Sequence, residues 1–145
     1  MGIRNMDHVG IVVDDLEAAI AFFVELGLEV EGRGRVEGEW VGKVIGLGDV
    51  RSDIVMLRAP DRSTSVELSK FLAPDAESDA GPAPANRLGI RHIAFIVDDL
   101  DGMVARLRGR GVELVGEVQN YQDVFLLCYV RGPEGIFVEL AERIG

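Results

Sequence analysis

Cysteine, histidine and basic charge are the scarce materials of this 145-residue chain, and each scarcity excludes something. One cysteine, Cys128, rules out an internal disulfide framework and fits a reducing, cytoplasmic setting. It lies in the apolar run VFLLCYV, where a buried, inert thiol is expected. Fifteen Lys and Arg stand against twenty-five Asp and Glu, for a formal net charge of −10. No stripe of cations tracks a phosphate backbone, so nucleic acid is not an expected partner. Arg106, Arg108 and Arg110 are the nearest approach to such a stripe, and they suit the C-terminal end of a helix dipole. No apolar run reaches the roughly 18–20 residues that span a bilayer. The first residues carry neither a hydrophobic signal region nor a myristoylation pattern, and no membrane partner is expected.

Apolar material is plentiful, at 48% of residues, which is enough for a real core. It is also written twice. Sliding the sequence by 84 residues aligns Met6–Gly32 with Ile90–Gly116, with nine identities in 27 positions. They are His8/His92, Val13/Val97, Asp14/Asp98, Asp15/Asp99, Leu16/Leu100, Ala21/Ala105, Gly27/Gly111, Glu29/Glu113 and Gly32/Gly116. Further on, LRAPDRSTSVEL (57–68) resembles VRGPEGIFVEL (130–140), with one extra residue in the first turn. Two matches in one order mean a duplicated module.

Each copy opens with a strand, HVGIVV or HIAFIV, closed by an Asp-Asp pair that offers a helix N-cap. Capping accounts for these aspartates, and they are not expected as ligands. The helices LEAAIAFFVELG and LDGMVARLRGRG each stop at a glycine. Three strand-like stretches follow, the last two joined across APDRSTS or GPEG. The expected fold is α+β: two βαβββ modules, 1–72 and 90–145, joined by an Ala-, Pro- and Gly-rich linker at 73–89. Residues 37–50 read as a loop or a short irregular helix.

Strand alternation then sorts the side chains. Val9, Ile11 and Val13 form a bulky apolar face, as do Ile93, Phe95 and Val97. The opposite face carries His8 with Gly10, and His92 with Ala94, which leaves space beside each imidazole. In the last strands Val66 and Leu68, like Val138 and Leu140, point toward the helix, while Glu67, Phe137 and Glu139 point away. A lone strand histidine is more often a satisfied core residue, and a lone glutamate near a strand end is usually solvated. Here the only two histidines share one repeat position and two glutamates share another. Burying four such groups without a common partner is costly, and a divalent cation supplies that partner. Two imidazoles and two carboxylates without thiolate suit Ni²⁺, Co²⁺, Zn²⁺, Mn²⁺ or Fe²⁺.

Taken in order, DHVGIVVDDLEAAIAFFVELGLEV, VELS, RHIAFIVDDL and GPEGIFVELAE resemble the vicinal oxygen chelate superfamily, the glyoxalase/bleomycin-resistance/dioxygenase group. The resemblance implies a cupped, mostly antiparallel eight-stranded sheet with helices outside, often in a homodimer. It also implies one metal ion, held by His8, Glu67, His92 and Glu139, that binds vicinal oxygens of a small-molecule substrate. All four places are filled as in glyoxalase I. That pattern implies a lyase or isomerase that abstracts a proton through a metal-bound enediolate, with Glu139 or Glu67 as base. Phe137, on the same face, is a candidate for the substrate wall, and a core role suits it equally. Phe23 stands where many glyoxalases place a tyrosine.

Three other readings stay open. Methylmalonyl-CoA epimerases are similar but commonly have Gln at the Glu67 position, and a CoA substrate would favour a basic rim, for which Arg33, Arg35 and Arg91 are available. An extradiol dioxygenase would need a third histidine as base, and the chain has two. A drug-resistance type of binding protein would need no metal, and would need an aromatic lining that 6% aromatic residues furnish only modestly.

Overall fold

Strand, helix, then three strands is the order found twice, with a second short helix inserted in the first copy. The computed structural model describes residues 1–78 and 81–145. The first module contains β1 (His8–Val12), α1 (Leu16–Leu26), β2 (Glu29–Glu37), α2 (Glu39–Ile45), β3 (Arg51–Arg58) and β4 (Ser65–Ala73). The second contains β5 (His92–Ile96), α3 (Leu100–Gly109), β6 (Gln119–Tyr121), β7 (Phe125–Arg131) and β8 (Phe137–Arg143). Among the described residues these strands make two four-stranded mixed sheets, ordered β1-β4-β3-β2 and β5-β8-β7-β6. In each, the first strand runs parallel to the last and the other neighbours are antiparallel. The chain divides into two compact units, Met1–Ser78 and Asp79–Gly145. Residues 79 and 80 of the expected linker lie outside the described residues.

The duplicated aspartates do the capping the sequence predicts. Asp15 accepts from the Ala18 N–H and Asp99 from the Gly102 N–H, each at 3.0 Å. Both helices also end alike. Gly27 and Gly111 take positive φ, 114° and 81°, and the next residue's N–H reaches back to Phe23 and Leu107 respectively, 3.0 Å in both cases. Only a residue without Cβ adopts that backbone cheaply, which is why each helix is followed by a glycine.

Each helix covers one face of its own sheet, α1 against β4 and α3 against β8. Ile11, Val13, Phe23, Leu57, Val66 and Leu68 are buried in the first module; Leu100, Leu107, Val130, Val138 and Leu140 are buried in the second. Each such leucine or valine contributes about 1.5–3 kcal/mol through removal from water. Phe23 is fully buried with its ring edge-on to Phe22, so it serves the core. Cys128 is buried as well, and that burial pushes its thiol pKa upward, away from reactivity. Within residues 37–50, Glu39–Ile45 form the short helix α2, which buries Val41 and leaves Trp40 and Val44 exposed.

Candidate functional site

Register decides which side chains meet. In the first sheet His8 lies opposite Ser65 and Gly10 opposite Glu67. His8 and Glu67 therefore share the face away from α1, two residues apart diagonally. In the second sheet His92 lies opposite Phe137 and Ala94 opposite Glu139, which repeats the diagonal. A Cβ built on Gly10 would touch nothing within 4 Å, and the same holds for Gly32 and Gly34 on that face of β2. The face beside Glu67 is thus open, as the small residues predict.

In the first module the His8 Nε2 stands 3.5 Å from Glu67 Oε2, while its Nδ1 is 2.7 Å from the Asp7 carboxylate. In the second, the His92 Nδ1 is 3.0 Å from the Tyr129 hydroxyl. Tyr129 pairs in register with Glu139, and its ring leans on both His92 and Phe137. Desolvation, then the Glu139 carboxylate, pushes the phenol pKa above its ordinary value, so Tyr129 remains a neutral hydroxyl at physiological pH. Phe137 lies on the predicted face and is covered there by Tyr129 and by the Arg131 guanidinium, 4.1 Å over its ring. Arg131 is itself held by the carbonyls of Ala83 and Gly135.

Each module therefore brings one imidazole and one carboxylate onto its face opposite the helix. Among the described residues no three His, Cys, Asp or Glu side chains gather as a metal cluster, and the donors come as one pair per module. The donor chemistry fits a divalent ion: nitrogen and carboxylate oxygen, with the far ring nitrogen of both histidines already engaged. Asp7 and Tyr129 were not evident from the sequence. Extending the second repeat match back past Leu57/Val130 aligns Tyr129 with Met56, which carries no signal of a polar partner.

Two arginines available for a basic rim are otherwise engaged. Arg33 pairs with Glu17 of α1, and Arg35 with Asp53 at 2.9 Å, on the helix side of the first sheet. That hydrogen bond holds the Asp53 carboxyl below its ordinary pKa and raises the guanidinium's. A cleft of about 720 Å³ opens beside α2, lined by Glu37, Glu39, Lys43, Leu47, Asp49 and Arg51 among others, with none of the four candidate ligands on its wall. No helix among the described residues is long and apolar enough to cross a membrane.

Residues 7–129 match the family described as the Glyoxalase/Bleomycin resistance protein/Dioxygenase superfamily. A crystal structure of a glyoxalase family protein from Bacillus cereus is 49% identical, with 100% of this chain and 97% of that one covered, at a TM-score of 0.95. The 2-epi-5-epi-valiolone epimerase of an Actinomyces species is 29% identical over 96% of this chain and 79% of its own length. The fosfomycin resistance protein FosX of Listeria monocytogenes, solved with Mn(II) and sulfate, shares the fold at a TM-score of 0.61 and 17% identity, covering 97% of this chain and 93% of its own.

Proposed function

The chain belongs to the glyoxalase/bleomycin resistance protein/dioxygenase superfamily, and from that premise we propose a metal-dependent lyase or isomerase of the glyoxalase I type. The observation that carries this reading is the twofold repetition of a His–Glu diagonal on the face of each sheet opposite its helix. His8, Glu67, His92 and Glu139 are proposed as the donors for one divalent ion per chain, drawn from Ni, Co, Zn, Mn and Fe. Mn(II) in FosX supports a divalent ion in this fold. Bound there, the ion would polarise two adjacent oxygens of a small-molecule substrate and draw off charge that develops beside its carbonyl.

The chain's own groups supply the rest. Glu139 removes the proton next to the carbonyl and returns it to the neighbouring carbon, and Glu67 is the alternative base. Gly10 and Ala94 keep room beside the carboxylates for substrate. Phe137 enters as the apolar wall behind Tyr129 on the substrate's side of the sheet. A homodimer in the cytoplasm is the proposed working form.

A second reading uses the same base. The Actinomyces relative favours an epimerase, in which that carboxylate takes the proton and the second glutamate delivers one to the other face of the same carbon. One assay serves both. Chelator-stripped protein is reloaded with each ion in turn, and ¹H NMR in D₂O follows thiol adducts of methylglyoxal and acyl-CoA epimers. Conversion of substrate only when metal is present is the expected result, and deuterium enters beside the carbonyl wherever the carboxyl proton exchanges with solvent before it is returned. Rearranged product identifies the isomerase, and inverted starting material identifies the epimerase. Neither product nor exchange with any ion and any of these substrates would contradict the proposal.

A further inference from the structure

The two histidines are equivalent by repeat, yet their Nδ1 atoms are held by groups from unrelated positions. Asp7, the residue before His8, supplies the carboxylate at 2.7 Å in the first module. Its counterpart in the second is Arg91, a cation that offers no acceptor and whose Nε is buried without a hydrogen-bond partner among the described residues. Tyr129 supplies the hydroxyl at 3.0 Å in the second module. Its counterpart in the first, in register opposite Glu67, is Met56, which has only a thioether. Each copy thus lacks the anchor the other has, and each Nδ1 has one.

We infer that Asp7 and Tyr129 are positioning residues, which aim the Nε2 of His8 and of His92 at the divalent ion. The inference rests on the metal reading above and adds which ring nitrogen binds and what orients it. Coordination through Nε2 needs a proton on Nδ1, and a hydrogen bond from that N–H fixes the ring's rotation about its side chain. The two anchors do this unequally. A carboxylate only accepts, so Asp7 selects the Nδ1–H tautomer of His8 before any metal arrives. A phenol both donates and accepts, so Tyr129 fixes the rotation of His92 while leaving its tautomer to be set on metal binding.

Long-range ¹H–¹⁵N spectra of the imidazoles, taken at alkaline pH where the rings are ordinarily neutral, read these states directly. In metal-free wild type the expected result is His8 protonated at Nδ1. Addition of Zn²⁺, a diamagnetic probe, should leave both rings protonated at Nδ1. Asp7→Ala should shift the His8 resonances toward mixed tautomers, with Asp7→Asn restoring the Nδ1–H form through its carbonyl oxygen. Tyr129→Phe should shift the His92 resonances alone. Zn²⁺ affinity by chelator competition should fall about 10–100-fold in Asp7→Ala and in Tyr129→Phe, with less loss in Asp7→Asn. Circular dichroism confirms that the variants fold. Wild type that binds Zn²⁺ while both variants bind it within twofold, or His8 protonated at Nε2 in the metal-free chain, overturns the positioning role alone. Wild type that binds no divalent ion overturns the metal reading, and the positioning role with it.

Discussion

The two modules keep one backbone and hold it with different side chains. Both cap their helix with the second aspartate of a pair and end it with a glycine at positive φ. Both set a histidine and a glutamate on the same diagonal. Around that frame the polar partners change. Lys70 reaches Asp14 at 3.3 Å in the first module, whereas its counterpart Glu142 accepts from the Leu100 N–H at 2.7 Å in the second. Ser65 lies opposite His8, while Phe137 lies opposite His92. Duplication preserves what register and chirality demand. Everything that only needs a hydrogen-bond partner or a filled volume is free to be met in another way.

The largest test of this comparison concerns the glutamates. Glu139→Gln should lower kcat by about 10²–10⁴-fold, the usual contribution of a general base, once a turnover assay is in hand. Glu67→Gln should show first as weaker metal binding, with a smaller loss of kcat at saturating metal. The reverse order would move the base to the first module.

A smaller difference is expected at the helix starts. Asp15→Ala should cost about 1 kcal/mol in urea denaturation, since it removes the side-chain cap of α1. Asp99→Ala should cost less, because Glu142 still satisfies the Leu100 N–H at the start of α3. Equal losses would mean that Glu142 contributes nothing as a second cap.

The smallest effect belongs to the exposed Arg35–Asp53 pair. Its hydrogen bond lowers the Asp53 pKa in the folded chain. The stabilisation is therefore complete above the unfolded-state value and disappears as pH falls through the folded one. Melting temperature against pH should show a slightly shallower acid limb for Asp53→Asn than for wild type. The curves should meet below the folded value, and added salt should shrink the gap.

Much of the fold was legible because the sequence repeats it. Nine identities at one offset predict the same strand, helix cap and helix stop twice, and alternation puts His8, Glu67, His92 and Glu139 on the faces opposite the helices. What stayed hidden depends on pairing between distant strands. That Tyr129 stands beside Glu139 follows from the β7–β8 register, which no local pattern within β7 encodes. Asp7 precedes a strand and has no counterpart of its kind before His92, so the repeat that exposed the histidines concealed it. The engagement of Arg33 and Arg35 likewise follows from which way β2 faces, and glycines at 32 and 34 weaken that signal. At α2 the obstacle was composition, since glycines at 38, 42, 46 and 48 blur the helical pattern around Trp40 and Val41.

The central claim, one divalent ion held by a His and a Glu from each module, is tested most directly by elemental analysis. Protein purified without chelator is compared with His92→Ala. About one ion per chain in wild type, lost in the variant, is the predicted result. No metal in wild type, even after reconstitution with Ni²⁺, Co²⁺, Mn²⁺, Fe²⁺ and Zn²⁺, would contradict it and point to a metal-free binding protein.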